Sequence, residues 1–180
     1  MNRRLSLAAG TAALLLAACQ PSKPVPLSAA DSTAIMKVRT DMIAAWNAGK
    51  VDSVVALYTS DAELQGPNRP AVKGADALRS YFNATLGTPT RPTIDIKVGK
   101  LVGRQDLAVM VGTYTLTPPT PPAPAKGAAP APPAPIALKY LVAATKQADG
   151  AWKIAYQAYS SDAPPAPPPA PAKPARRRGR

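Results

Sequence analysis

Residues 136–160 read IALKYLVAATKQADGAWKIAYQAYS, and this stretch decides the fold. Apolar and polar side chains alternate on both sides of Asp149-Gly150. Asp-Gly between two alternating runs is a strong hairpin signal. The same period governs residues 93–98, where Ile94, Ile96 and Val98 alternate with Thr93, Asp95 and Lys97. That pattern describes a strand with one wet face. Gly103-Arg104-Gln105-Asp106 turns the chain into a further strand over residues 107–117, so the second half reads as an antiparallel meander.

Towards the N-terminus the period becomes helical. Ile35, Val38, Met42, Ala45 and Trp46 recur at three- and four-residue steps; Ser28 or Asp31 can cap the start, and Asn47-Ala48-Gly49 supplies the stop. A short helix is expected over residues 52–58. Two short strands, over 61–66 and 69–72, flank a Pro67-Asn68 turn. A third helix is expected over 75–86, with Leu78, Phe82 and Leu86 on one stripe. Helices followed by a meander argue an α+β architecture, with three N-terminal helices on one face of the sheet.

Proline marks the limits of this domain. Of 23 prolines, nine fall in residues 118–135 and seven in 163–175, both segments otherwise mostly alanine. Such runs favour extended polyproline II at about 3.1 Å per residue, not a sheet. Residues 28–160 therefore form one domain carrying a Pro/Ala insertion at 118–135, and residues 161–180 a disordered basic tail. The formal charge of +12 is spread unevenly: residues 28–160 without Lys126 hold thirteen Lys and Arg against nine Asp and Glu, a net +4. A mildly basic domain without clustered cations is no nucleic-acid footprint.

Arg3 and Arg4 precede an apolar run of fourteen residues, 5–18. A membrane-spanning helix needs about 20. A basic start, a short apolar stretch and small residues before a cleavage point describe a signal peptide. Its ending, Leu16-Ala17-Ala18-Cys19, resembles the bacterial lipobox. The resemblance implies cleavage at 1–18, lipid on Cys19 and residues 19–27 as a Pro-rich tether. The expected location is the cell envelope, facing the periplasm and on the outer rather than the inner membrane.

Composition excludes much chemistry. With no histidine and one cysteine, the chain has no Ser-His-Asp or Cys-His pair, no disulfide within itself and no histidine-ligated zinc. Proton transfer would fall to Asp, Glu, Lys or Tyr. No phosphate-binding glycine loop appears, since Gly99 and Gly103 lie outside any strand-to-helix context. No spacing supports a metal site, and no cofactor is expected. Asp95 with Lys97 could pair as a base and its partner, and Asp61 with Glu63 as two carboxylates; the first pair reads as a solvated strand face.

Ala44-Ala45-Trp46-Asn47-Ala48-Gly49, Asp52, Val55-Ala56-Leu57-Tyr58, Asp61-Ala62, Pro67, Gly74 and Ala77 together resemble the first half of the ketosteroid-isomerase or SnoaL-like group of the nuclear transport factor 2-like superfamily. Gly150-Ala151-Trp152-Lys153-Ile154 resembles the last strand of its domain of unknown function 4440 branch. The resemblance implies a cone, with a curved antiparallel sheet wrapped around helices over a hydrophobic cavity, and pairing of copies through the open sheet face. It also implies three catalytic positions. Here Gly66 stands at the carboxylate base, Met42 at the oxyanion tyrosine, and residues 138–145 carry no acid.

The expectation is therefore an envelope lipoprotein whose non-catalytic cone binds a small apolar ligand or a protein partner. Met42, Trp46, Tyr58, Phe82, Tyr114 and Tyr156 are expected to wall the cavity, with Gln65 as a polar contact and Cys19 as the lipid attachment site. The alternatives are an enzyme built on Asp61, Asp95 or Tyr140, and a tether acting through its arginine tail.

Overall fold

The computed structural model describes residues 25–121 and 131–161. Cys19 and the signal stretch, the centre of the Pro/Ala insertion and the tail from residue 162 lie outside the described residues.

Helix α1 (Ala29–Asn47) begins where Ser28 caps it: Ser28 Oγ accepts the Asp31 N–H at 3.0 Å and donates to Asp31 Oδ2 at 2.7 Å. It buries Ile35, Val38, Met42 and Ala45. Gly49, at φ 67°, closes it: the Gly49 N–H reaches Trp46 O at 2.8 Å and the Lys50 N–H reaches Ala45 O at 2.9 Å. These are the two bonds of a Schellman cap, which requires a left-handed residue at this place. Helix α2 (Val51–Val55) is shorter than expected. Leu57 O already accepts the Ile154 N–H at 2.8 Å, so Tyr58 opens strand β1 (Tyr58–Gln65) instead of closing a helix. Strand β2 is only Val72–Lys73, displaced from the expected 69–72. Asn68 turns the chain at φ 56°, and Arg69 instead lays its guanidinium 4.2 Å from the centre of the Tyr81 ring. Helix α3 (Ala75–Leu86) buries Leu78, Phe82 and Leu86 as predicted.

The rest is sheet: β3 (Thr93–Arg104), β4 (Leu107–Thr117), β5 (Ile136–Lys146) and β6 (Trp152–Ser160). Six strands lie in the order β2-β1-β6-β5-β4-β3, curved against the N-terminal helices. Every neighbouring pair is antiparallel except β1 with β6, which runs parallel. The β5–β6 turn uses Gly150 at φ 85°, with the Gln147 N–H bonded to Ala151 O at 2.8 Å. It is thus a three-residue loop, one longer than the two-residue turn that Asp-Gly most often makes.

Two irregularities aim the inner face. In β3, Gly99 is one residue too many between Val98, opposite Gly112, and Lys100, opposite Val111. In β6, Ala155 is extra between Ile154, opposite Ala144, and Tyr156, opposite Ala143. Each bulge switches which residues face the helices.

β3 pairs only with β4, so its other edge needs cover. α1 provides it. Asn47 gives Nδ2 to Ile94 O at 3.0 Å and accepts the Ile94 N–H at 2.8 Å; the Trp46 indole donates to Pro92 O at 3.0 Å, and Arg39 Nε to Ile96 O at 2.9 Å. The Trp46-Asn47 pair of the sequence motif is thus a clamp on an unpaired strand edge. At the other end of α1, Asp31 Oδ1 accepts Lys146 Nζ at 2.7 Å and the buried Trp152 indole at 3.0 Å. Those bonds hold its carboxyl well below the usual carboxylate range, the Lys146 contact contributing most. The last residues of the stretch read as a tether are engaged too: Pro26 bridges to Arg104, and Leu27 packs against the core.

Candidate ligand-binding hollow

Between α1, α3 and the concave sheet face lies a hollow of about 140 Å³. Its floor is apolar, made by Met42, Phe82, Ile94, Met110, Val142 and Ile154. Its rim is half-exposed and includes Trp46, Tyr81, Thr85, Leu116 and Tyr159. Phe82 is the hub of an aromatic cluster, with ring centres 5.9 Å from Trp46, 5.7 Å from Tyr58 and 5.1 Å from Tyr81. Tyr114 extends it, 6.5 Å from Tyr140 and 6.2 Å from Tyr159.

Of the residues expected at the cavity wall, Met42, Trp46, Tyr58, Phe82 and Tyr114 line this hollow. Gln65 and Tyr156 do not. Gln65 follows the buried Leu64 and so faces outward, where its amide donates to Glu63 Oε1 at 2.8 Å. Tyr156 would point inward had Trp152 and Ile154 continued in strict alternation; the Ala155 bulge turns it out, to 59% exposure. The same bulge brings Gln157 and Tyr159 in. Those two escaped the sequence reading because no residue type in β6 announces an extra residue; Arg39 on α1 and Tyr81 on α3 were not expected there either.

The polar groups of the hollow are few. Tyr58 donates its hydroxyl to Gln157 Oε1 at 2.6 Å, and the Tyr81 and Tyr159 hydroxyls lie 3.3 Å apart. Burial pushes the Tyr58 and Tyr114 hydroxyls far above the ordinary tyrosine value and Tyr81 up to about 12, so all three stay protonated donors. Tyr140 is 8% exposed, and among the described residues nothing hydrogen-bonds its hydroxyl. Among the described residues Arg39 is the one charged side chain on the wall.

Among the described residues no Asp or Glu lines the hollow. Asp61 and Asp95 are exposed, on the opposite face of the sheet to Leu64 and Ile94. Glu63 pairs with Lys73 at 2.9 Å, and bonds from Gln65 first and Lys73 second lower its pKa. Gly66 adds a steric statement: a Cβ built there would sit 2.5 Å from the Tyr159 hydroxyl. The place where the resemblance puts a catalytic carboxylate is thus filled by another residue's phenol. Among the described residues no three Cys, Asp or Glu side chains gather as a metal-ligand set.

Residues 40–155 match the family described as SnoaL-like domain. Several solved structures share the fold. A ketosteroid isomerase-like protein from Erwinia carotovora atroseptica SCRI1043 is 26% identical, with 73% of this chain and 96% of that one covered at a TM-score of 0.58. A domain of unknown function with a cystatin-like fold from Nostoc punctiforme PCC 73102 is 19% identical (77% and 81% covered, TM-score 0.63). An NTF-2 like protein of unknown function from Shewanella oneidensis MR-1 is 15% identical (72% and 98% covered, TM-score 0.59). No curated protein matches the chain.

Proposed function

The chain belongs to the SnoaL-like domain family, and from that premise we propose that its cone is a non-catalytic module binding one small, largely apolar molecule. The observation that carries this reading is the lining itself: an aromatic and aliphatic wall with hydroxyl tips and no carboxylate. General acid-base chemistry without histidine wants an Asp, Glu, Lys or thiol near the operating pH. Here burial holds the Tyr58 and Tyr114 hydroxyls protonated, and an acid at Gly66 would have to displace the Tyr159 phenol. Size narrows the ligand. A cavity of about 150 Å³ accepts benzene, so this one suits a single ring or a short branched chain, not a fused polycycle.

Native mass spectrometry of the purified protein after incubation with an envelope extract tests the reading. A bound mass of one small molecule per chain supports it. No bound species, together with turnover of any carbonyl substrate, overturns it.

The same proposal places the protein on the envelope through lipid on Cys19. The support is the run from Leu16 to Cys19 and the Pro-rich stretch that separates it from Leu27. Two acyl chains hold a protein stably on a bilayer. Incorporation of labelled palmitate, lost in Cys19→Ser, is the expected result. Pairing of two copies belongs to the outer sheet face, where Val102, Leu141 and Tyr156 stand 45–59% exposed. Analytical ultracentrifugation of Leu141→Glu against the parent reads that contact.

A further inference from the structure

Arg39 is out of place in a greasy wall. Its Nε and Nη2 donate to the same acceptor, Ile96 O. A guanidinium carries five N–H donors, so three remain after those bonds. Among the described residues no carboxylate pairs with it: Asp41, two residues on, is bound by Lys37 at 2.7 Å. A partly buried guanidinium without a counter-anion is costly, and its fork of donors matches a carboxylate in shape.

The second observation is independent. Tyr140 stands on β5, on the same wall, with its hydroxyl buried and unbonded. A buried hydroxyl ordinarily has a partner, and leaving one without costs stability. Arg39 is also the charge whose field acts on this phenol, opposing the upward push of burial. A cation with spare donors and an idle hydroxyl therefore share one wall of a hollow that holds no acid.

We propose that the ligand is a small monocarboxylate, its carboxylate taken by Arg39 and the Tyr140 hydroxyl and its ring or short chain seated over Phe82 and Met110. This rests on the reading of the hollow as a binding site and names the class of molecule. Arg39 supplies charge, Tyr140 one further hydrogen bond, and the aromatic floor the apolar contact. Among the described residues lining the hollow no carboxylate competes with the guest.

Calorimetric titration of the full chain with benzoate and, separately, with toluene separates the two layers. The proposal expects benzoate to bind more tightly than toluene. Tyr140→Phe and Arg39→Gln should each weaken benzoate by roughly ten- to a hundredfold, the range of a hydrogen bond to a charged group. Both should leave toluene within about twofold, since neither changes the apolar floor. Arg39→Lys should recover part of the loss, keeping charge without the fork. Arg39 also caps the β3 edge, so Arg39→Gln could unfold the protein; Tyr140→Phe keeps the ring and carries the test alone. Toluene binding without preference for benzoate, or benzoate binding indifferent to Tyr140→Phe, overturns the carboxylate assignment and leaves the hollow a binding site. Binding of neither overturns both.

Discussion

The two faces of one sheet differ more than the two halves of the chain. Strands β3 to β6 turn Ile94, Met110, Tyr140 and Ile154 inward, and Asp95, Thr113, Leu141 and Tyr156 outward. The inner face collects Tyr58, Tyr114, Tyr140 and Tyr159 and, among the described residues, no acid; the outer face carries acids, lysines and scattered exposed apolar groups. What separates them is parity along each strand, and parity is reset at Gly99 and Ala155. A site here is built by two extra residues as much as by the side chains that line it.

The sharpest way to break that contrast is to empty one face and then the other. Phe82→Ala removes the hub of the aromatic cluster, a side chain 2% exposed, and should cost about 3–5 kcal/mol. Leu141→Ser, on the outside at 45% exposure, should change stability by no more than about 0.5 kcal/mol in the monomer. Urea denaturation measures both. Equal losses would mean that the outer face is buried in solution.

The edge between the faces ranks next. Asn47→Ala leaves the Ile94 N–H and C=O without their partner, and should cost about 1–3 kcal/mol by the same assay. Asn47→Asp keeps the acceptor and loses the donor, so it should fall between parent and alanine variant.

A pH series probes the tie between α1 and the β5–β6 hairpin. Asp31 has a lowered pKa when folded, so its contribution is present above its ordinary value of 3.8 and is lost as pH falls below it. Glu63, also lowered, acts with the same sign but is more exposed and screened. The urea midpoint of the parent should therefore drop as pH goes from about 5 to about 3, and Asp31→Asn should flatten much of that slope. A parent midpoint constant over this range would contradict the tie. A modest effect is expected at Gly150, where φ is 85° and a Cβ would meet open space: Gly150→Ala strains the backbone alone, by about 1 kcal/mol.

Much of this architecture was legible because local rules and the fold agreed. Ser28 and Gly49 bound α1 as their chemistry requires, and the alternation from Ile94 to Val98 placed the correct side inward. Tyr58 misled, since an aromatic three residues after Val55 fits a helix face as well as the start of a strand. The hollow was legible in part. Residues on helices kept their period, so Met42, Trp46 and Phe82 fell where spacing put them. Residues beyond a bulge did not: Tyr156 went out and Tyr159 came in, because a strand's period carries no mark of an inserted residue. Gln65 was lost to simple alternation after Leu64. Arg39 was overlooked because a charged helical residue ordinarily belongs to the solvated side.

The central claim is that an accessible apolar void, free of acid side chains, sits under α1 and α3. A crystal of the protein pressurised with xenon tests it most directly, since xenon settles in dry apolar cavities of this size. The account predicts xenon density beside Phe82 and Met110, absent after Val142→Phe fills the space. Contradiction would come from a hollow that takes up no xenon, or from a carboxylate found projecting into it.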